Sequence, residues 1–299
     1  MKTVFTTMGI GGSPQGFATV KTEDELIGLI KSNKNTRWRV IGEGSNIIFD
    51  NKGFGGLIIK NEIKELKIVG RTVYAGAGNN LNGFIKKIIN KGLSGMEKMS
   101  GIPGTVGGAI YGCAGAYGQE IRDCLSRVRV FDGRKIKWLT KKQCGFSYRD
   151  SIFKKKTGWT ILGAEFKFQK SDSKKLTKIS REIIKLRNQK YPPGLKCPGS
   201  FFKNIVLKNI KPAVRKRLLP KIDKDRIFGG KVPVGYLLDL VGAKGMKIGG
   251  IAVSEKHGNL IYNVNGGTFS DLQKLIKILK QKVYKKFGIK LEEEVQYLS

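Results

Sequence analysis

The residues with the most visible chemical potential in this chain are glycines. Between 92 and 118 it reads GLSGMEKMSGIPGTVGGAIYGCAGAYG, in which nine of 27 residues are glycine and only Glu97 and Lys98 are charged. Glycine costs backbone entropy in regular structure, so this density needs a reason. One reason is a set of N–H groups turned, with no Cβ in the way, toward an anionic or flat ligand. A tightly turned loop packed on a sheet is the other, and the stretch alone supports both equally. Upstream, GEGSN (42–46) joins two glycines, a hydroxyl and an amide. That turn suits phosphate oxygens and equally suits ordinary turn chemistry. It lacks the third glycine and the long following helix of a Rossmann fingerprint.

Other reactive side chains are ambiguous when read alone. Arg149, in SYRDS, reads as a loop arginine in a surface ion pair, and Ser200, in GSFFKN, as a helix N-cap or loop serine. Glu292 to Glu294 read as a solvated acidic end, and His257, the one histidine, as a packing or hydrogen-bonding group. Cys113, Cys124, Cys144 and Cys197 are irregularly spaced with no C-x-x-C pair. With a single histidine this argues against zinc and for four reduced thiols.

The elements that must position these groups follow from periodicity. Thr22 and Glu25 predict a capping box before a short helix with Leu26, Leu29 and Ile30 on its apolar stripe. RWRVIGEGSNIIFD (37–50) and GFGGLIIK (53–60) read as strands around the GEGSN turn. A helix over 80–91 places Leu81, Phe84, Ile85 and Ile88 on one face and ends at Gly92. RVRVFDG (127–133) and WTILGAEFKFQK (159–170) alternate as strands, and 145–156 reads as a loop. An amphipathic helix over 172–190 runs through Leu176, Ile179, Ile183 and Leu186 into a Pro/Gly-rich connection, YPPGLKCPGS. A basic loop extends to about 231, a helix lies near 233–242, and a last helix over 270–287 aligns Leu272, Leu275, Ile276, Leu279, Val283 and Phe287.

At 299 residues and 40% hydrophobic, the chain suits several globular domains. The longest uncharged run lies within 99–118 and is too glycine-rich for a membrane helix, and the N-terminus has no continuous apolar region of a signal peptide. A cytoplasmic protein with no membrane anchor is expected. Net charge is +34, from 57 Lys and Arg against 23 Asp and Glu. The excess is dispersed over 60–72, 127–156, 170–190, 203–231 and 274–290, which reads as solvated lysine faces more than as nucleic-acid binding. A basic nucleic-acid-binding protein is the competing reading.

Taken in order, GEGSN, the glycine-dense stretch, GSFFKN, KVP…GAKG…IGG…VSEKHGNLIYN and the closing EEEV resemble the MurB family of UDP-N-acetylenolpyruvoylglucosamine reductases, from about Thr6 to Val295. GIPGTVGGA with AGAYG carries the flavin-fold part of the resemblance. GSFFKN and EEEV favour the reductase over related FAD-dependent oxidases, and no tyrosine-bearing loop is inserted between about 150 and 190, as in the shorter subgroup. The resemblance implies an α+β fold: a two-subdomain FAD-binding module of the PCMH, vanillyl-alcohol-oxidase-like type (1–62 and 63–190, the latter with a connecting helix) and a C-terminal α+β substrate-binding domain (191–299). It implies bound FAD, NADPH as hydride donor, a UDP-sugar substrate, and a monomer without nucleic-acid partner.

The resemblance also implies roles. Hydride addition to C3 of the enolpyruvyl group leaves negative charge at C2 and the carboxylate, which Arg149 would oppose with two donors. Ser200 would protonate C2. Glu294, in register before Val295, would organise the carboxylate and arginine or aid proton delivery. FAD would lie on Gly42, Glu43, Gly44, Ser45 and Asn46 and on Gly101, Ile102, Pro103, Gly104, Thr105, Gly107 and Gly108. Substrate contacts would come from Tyr148, Lys203, Asn204, Arg187, Lys190 and Lys244. Two departures bear on the flavin: Glu43 replaces a glycine next to phosphate, and Cys113 stands where asparagine is common.

Overall fold

The computed structural model describes residues 6–299, so the first five residues of the segment read for a signal peptide lie outside the described residues. The chain packs as two compact units, neither of them one consecutive segment. One comprises Pro14–Glu43 and Gly55–Gln189; the other comprises Met1–Ser13, Gly44–Phe54 and Lys190–Ser299. The GEGSN turn is therefore divided between them after Glu43.

In the first unit, strand Trp38–Ile41 runs parallel to Phe54–Asn61, with Trp38 opposite Leu57 and Ile41 opposite Lys60, and Pro14–Val20 lies on the far side. Val20, Leu26, Ile30, Ile59, Ile63, Phe131 and Leu162 form the core beneath. The helix Glu23–Ser32 begins at Thr22, whose side chain accepts from the Glu25 N–H. The predicted reciprocal bond is displaced by one residue, because the Glu25 carboxylate accepts from the Lys21 N–H at 2.7 Å.

The same unit holds a five-stranded antiparallel sheet in the order Ile136–Thr140, Leu125–Phe131, Thr160–Lys167, Thr72–Gly76 and Leu66–Val69. Helix Leu81–Asn90 buries Leu81, Phe84, Ile85, Ile88 and Ile89 on it, and Gly92 follows at φ +65°. The long helix Ser173–Lys190 buries Leu176 and Ile183, whereas Leu186 is 46% exposed and falls off the predicted stripe. Within the predicted loop 145–156 a four-residue helix, Ile152–Lys155, forms.

In the second unit, strand Gln296–Leu298 pairs in parallel with Ile47–Phe49, which draws Gly44–Phe54 to the C-terminal part of the chain. A three-stranded sheet of Lys247–Ile248, Ile251–Val253 and Ile261–Asn263 is covered by the helix Phe269–Phe287. All six residues predicted on that helix's apolar face are buried, each contributing roughly 1.5–3 kcal/mol. Thr268 and Asp271 close a capping box at its start, and Gly288 ends it at φ +73°. The predicted basic loop contains a short helix, Pro212–Leu218. Among the described residues no helix is long and apolar enough to cross a membrane, and no group of three or more His, Cys, Asp or Glu could hold a metal ion.

Candidate active site

The candidate residues fall into two constellations, one in each unit. In the first, the glycine-dense stretch is a turn (Gly101 to Thr105) feeding the helix Val106–Gly112, whose N-cap Thr105 accepts from the Gly108 N–H. Many N–H groups expected to face a ligand are bonded within the protein. Gly101 donates to Asn82 Oδ1 at 2.6 Å, Ile102 to Met99 O at 3.2 Å and Gly107 to Ala77 O at 2.9 Å. These positions therefore offer close approach more than free donors. Gly42 shows why: a Cβ there would collide with the Thr105 side chain, so the two turns meet only because Gly42 carries no side chain at that point.

Glu43 has a partner within its own unit. Asn80 Nδ2 donates to both of its carboxylate oxygens, at 2.9 and 3.2 Å, while Asn80 Oδ1 caps the next helix at the Gly83 N–H. The carboxylate is thereby held at a helix N-terminus, where the aligned peptide dipoles favour negative charge.

Arg149 stands out through its backbone. It is one of three non-glycine residues with positive φ among the described residues, at +56°, alongside Cys113 (+45°) and Tyr117 (+49°). A left-handed L-residue costs roughly 1–2 kcal/mol and persists only where its surroundings enforce it. Here its Nη atoms donate to the carbonyls of Cys113 at 3.2 Å and Gly115 at 2.7 Å, and the guanidinium lies 5.2 Å from the Tyr148 ring centroid. Lys154 Nζ donates to the Arg149 carbonyl at 2.8 Å. The arginine is thus fastened to the end of the glycine-dense stretch.

Cys113 is explained by the same geometry. It is the left-handed C-cap of Val106–Gly112, a position that asparagine tolerates best among residues with a side chain. Its thiol is fully buried and its pKa is pushed up to about 11 by desolvation, so it stays neutral and unreactive. Arg187 lies over Gly101, where an added Cβ would come within 2.9 Å of its Cδ.

In the second unit GSFFKN is clamped from two directions. Phe201 N–H donates to Asn259 O at 3.0 Å, and the Asn259 side chain bonds both the N–H and the C=O of Phe202 at 2.8 Å. On the other edge Glu294 N–H donates to Phe201 O at 2.8 Å and Lys203 N–H to Glu292 O at 2.9 Å. Phe201 and Phe202 are buried as anchors. Ser200 and Glu294 are brought together by these backbone bonds although 94 residues separate them in sequence. Asn46 Nδ2 donates to Glu294 O at 3.1 Å, which places the end of GEGSN beside the acidic segment.

The structure separates the three glutamates. Glu292 pairs with Lys203 at 3.2 Å, and Glu293 is engaged by Lys280 and the Tyr297 hydroxyl. Asn204 Oδ1 accepts from Val234 N–H at 3.1 Å, Lys244 pairs with Asp239 at 3.1 Å, and Lys190 is exposed. His257 is held below the ordinary histidine range, chiefly by burial and then by Lys190, so it is neutral near pH 7. Sequence reasoning missed Tyr191, whose hydroxyl lies 2.8 Å from Ser200 Oγ and whose ring meets that of His257 at 5.8 Å. Nothing in YPPGLKCPGS marks it, because no periodicity runs through the segment.

In the second unit one observation fits a flavin dinucleotide. Asn46 Oδ1 is a buried acceptor with no partner among the described residues, which a ligand hydroxyl or N–H would satisfy. In the first unit Gly42 lies bare against the Thr105 side chain, and the Glu43 carboxylate is bonded to Asn80.

Comparison with known proteins shows the family to which both units' sequences are similar. Residues 14–135 match the FAD binding domain family, and residues 191–298 match the C-terminal domain of UDP-N-acetylenolpyruvoylglucosamine reductase. The chain is 40% identical to the UDP-N-acetylenolpyruvoylglucosamine reductase of Solibacter usitatus, over 99% of this chain and 94% of that one. It is 37% identical to that of Carboxydothermus hydrogenoformans, over 98% and 90%. The crystal structure of UDP-N-acetylenolpyruvylglucosamine reductase (MurB) from Thermus caldophilus is similar with a TM-score of 0.76 at 27% identity, over 99% of this chain and 96% of that one.

Proposed function

The chain belongs to the UDP-N-acetylenolpyruvoylglucosamine reductase (MurB) family, and from that premise we propose that it is an FAD-dependent oxidoreductase that reduces the enolpyruvyl ether of UDP-N-acetylglucosamine to UDP-N-acetylmuramate with NADPH, for peptidoglycan precursor synthesis in the cytoplasm. The observation that carries this reading is the presence in one chain of an FAD binding domain and a reductase C-terminal domain, matched over nearly the whole length of relatives. In functional terms 1–62 and 63–190 serve the flavin and 191–299 the substrate. The monomer is the assembly this reading assumes.

When bound, FAD would supply the hydride-transfer chemistry between NADPH and C3 of the enolpyruvyl group. Gly42 to Asn46 and Gly101 to Gly108 would hold that cofactor, and Asn46 Oδ1 is a buried acceptor that it could satisfy. Arg149 binds the substrate carboxylate and opposes the charge that builds on C2 and the carboxylate. Its plane is fixed before substrate arrives by the Cys113 and Gly115 carbonyls, so little reorganisation is needed at the moment of reaction. Ser200 delivers a proton to C2, and Glu294, tied through its backbone to the serine segment, orients the reacting groups. Tyr148, Arg187, Lys190, Lys203, Asn204 and Lys244 contact the UDP-sugar. Lys203 and Lys244, both ion-paired to side chains at the surface, exchange those partners for substrate at modest cost.

An absorption spectrum tests the reading. The purified protein is expected to be yellow, to bleach with NADPH under anaerobic conditions and to recover colour on addition of the enolpyruvyl sugar nucleotide. Tight FAD that is never reoxidised by that substrate would sink it, and rapid reoxidation by oxygen alone would indicate an oxidase.

A further inference from the structure

A serine hydroxyl is a weak acid, comparable to water at roughly 15.7, whereas a phenol ionises near about 10. In this chain the two are in contact. Tyr191 Oη lies 2.8 Å from Ser200 Oγ, a normal O–H···O separation in which either atom can donate. Both side chains are half-buried, and both sit on fixed supports. Ser200 is bridged to Leu260 and held by the clamp that Asn259 and Glu294 make on its neighbours. The Tyr191 ring packs at 5.8 Å and 47° against His257, whose own carbonyl accepts from Leu260 N–H at 2.9 Å. One short segment, 257–260, therefore supports both members of the pair.

We propose that Tyr191 is a positioning residue that acts through Ser200: its phenol O–H donates to Ser200 Oγ as that oxygen gives its proton to C2, and then restores the proton to the serine. The inference rests on the reductase reading above. The electron pair left at C2 by hydride addition to C3 forms the new C2–H bond with the Ser200 proton, and the Ser200 O–H bond breaks. The Tyr191 O–H bond then breaks as the Ser200 O–H bond re-forms, and the phenolate takes a proton from solvent. The reducing equivalents are those of NADPH. Without the phenol, a full alkoxide would develop in a partly buried site; with it, the charge forms under a hydrogen bond and moves to the weaker base.

Tyr191→Phe keeps the ring on His257 and removes the hydroxyl. It is expected to slow flavin reoxidation by the enolpyruvyl substrate roughly 10- to 100-fold, with FAD content and the rate of bleaching by NADPH unchanged within about twofold. The double variant with Ser200→Ala is expected to be no slower than Ser200→Ala alone, since the phenol works only through the serine. Fluorinated tyrosines placed at 191 retain ring and hydroxyl, so they guard against a folding defect, and the reoxidation rate should change with their phenol pKa. In the 3-fluorotyrosine protein, Ser200→Ala should shift the fluorine resonance, a readout independent of turnover. Reoxidation in Tyr191→Phe within twofold of wild type, additive losses in the double variant, or a resonance unmoved by Ser200→Ala would each overturn the relay alone. A wild-type flavin that the substrate never reoxidises would reject the reductase reading, and the relay with it.

Discussion

In the unit that carries Arg149 the proposed reactive group is held by its own neighbourhood, whereas in the unit that carries Ser200 the proposed reactive group is held from far along the chain. Arg149 is fixed by a left-handed backbone, by its own guanidinium on two carbonyls 34 and 36 residues away, and by the Lys154 ammonium on its carbonyl. Ser200 lies in a strand-like segment fixed by residues 259–260 and 292–294 through main-chain bonds and two buried phenylalanines. The first arrangement depends on one side chain both for its place and for its chemistry. The second separates the two, because the serine hydroxyl takes no part in the clamp that positions it. Substitution should therefore confuse structure with function at the arginine and distinguish them at the serine.

The largest expected effect follows from that separation. Ser200→Ala should slow reoxidation of the reduced flavin by substrate roughly 10³-fold while leaving bleaching by NADPH and the unfolding midpoint unchanged, as read by stopped-flow absorbance and urea titration. Equal losses in both half-reactions would contradict its assignment as the acid. Arg149→Lys comes next, with a fall in kcat/KM of roughly 10²-fold, because a lysine cannot supply the planar fork or span the Cys113 and Gly115 carbonyls together. It should also lower the melting temperature, since the left-handed residue loses what holds it. Full stability with lost activity would show that the arginine's anchoring is dispensable and erase the contrast. The smallest effect is at Asn259, which touches no proposed reactant. Asn259→Ala leaves the Phe202 N–H and C=O without their buried partners and should destabilise by about 2 kcal/mol in urea unfolding. A loss well below 1 kcal/mol would place the clamp on the Glu294 side instead.

Legibility in the sequence followed the range of the interactions. The apolar face of the helix Phe269–Phe287 was readable, because six apolar positions at helical spacing share it. The helix Ile152–Lys155 was not, since four residues are too few to show a period. At Thr22 the cap was legible and its reciprocal bond was not, because the Glu25 side chain had a choice between two adjacent N–H groups. Leu186 fits the apolar period of its helix yet is 46% exposed, since period says which face a residue takes and not where the covering layer stops.

The sequence by itself determined that this is a flavin-domain chain of the reductase family, through motifs whose glycines and polar residues are consecutive and so need no folding to be read. Only the tertiary structure decided what those motifs do in detail. It bonded Glu43 to Asn80, engaged many of the expected N–H donors internally, and gave Glu292 and Glu293 lysine partners of their own. It placed Tyr191 on Ser200. Most of these are contacts between groups far apart in sequence, and no local preference of a residue encodes which distant partner the packed chain will bring to it.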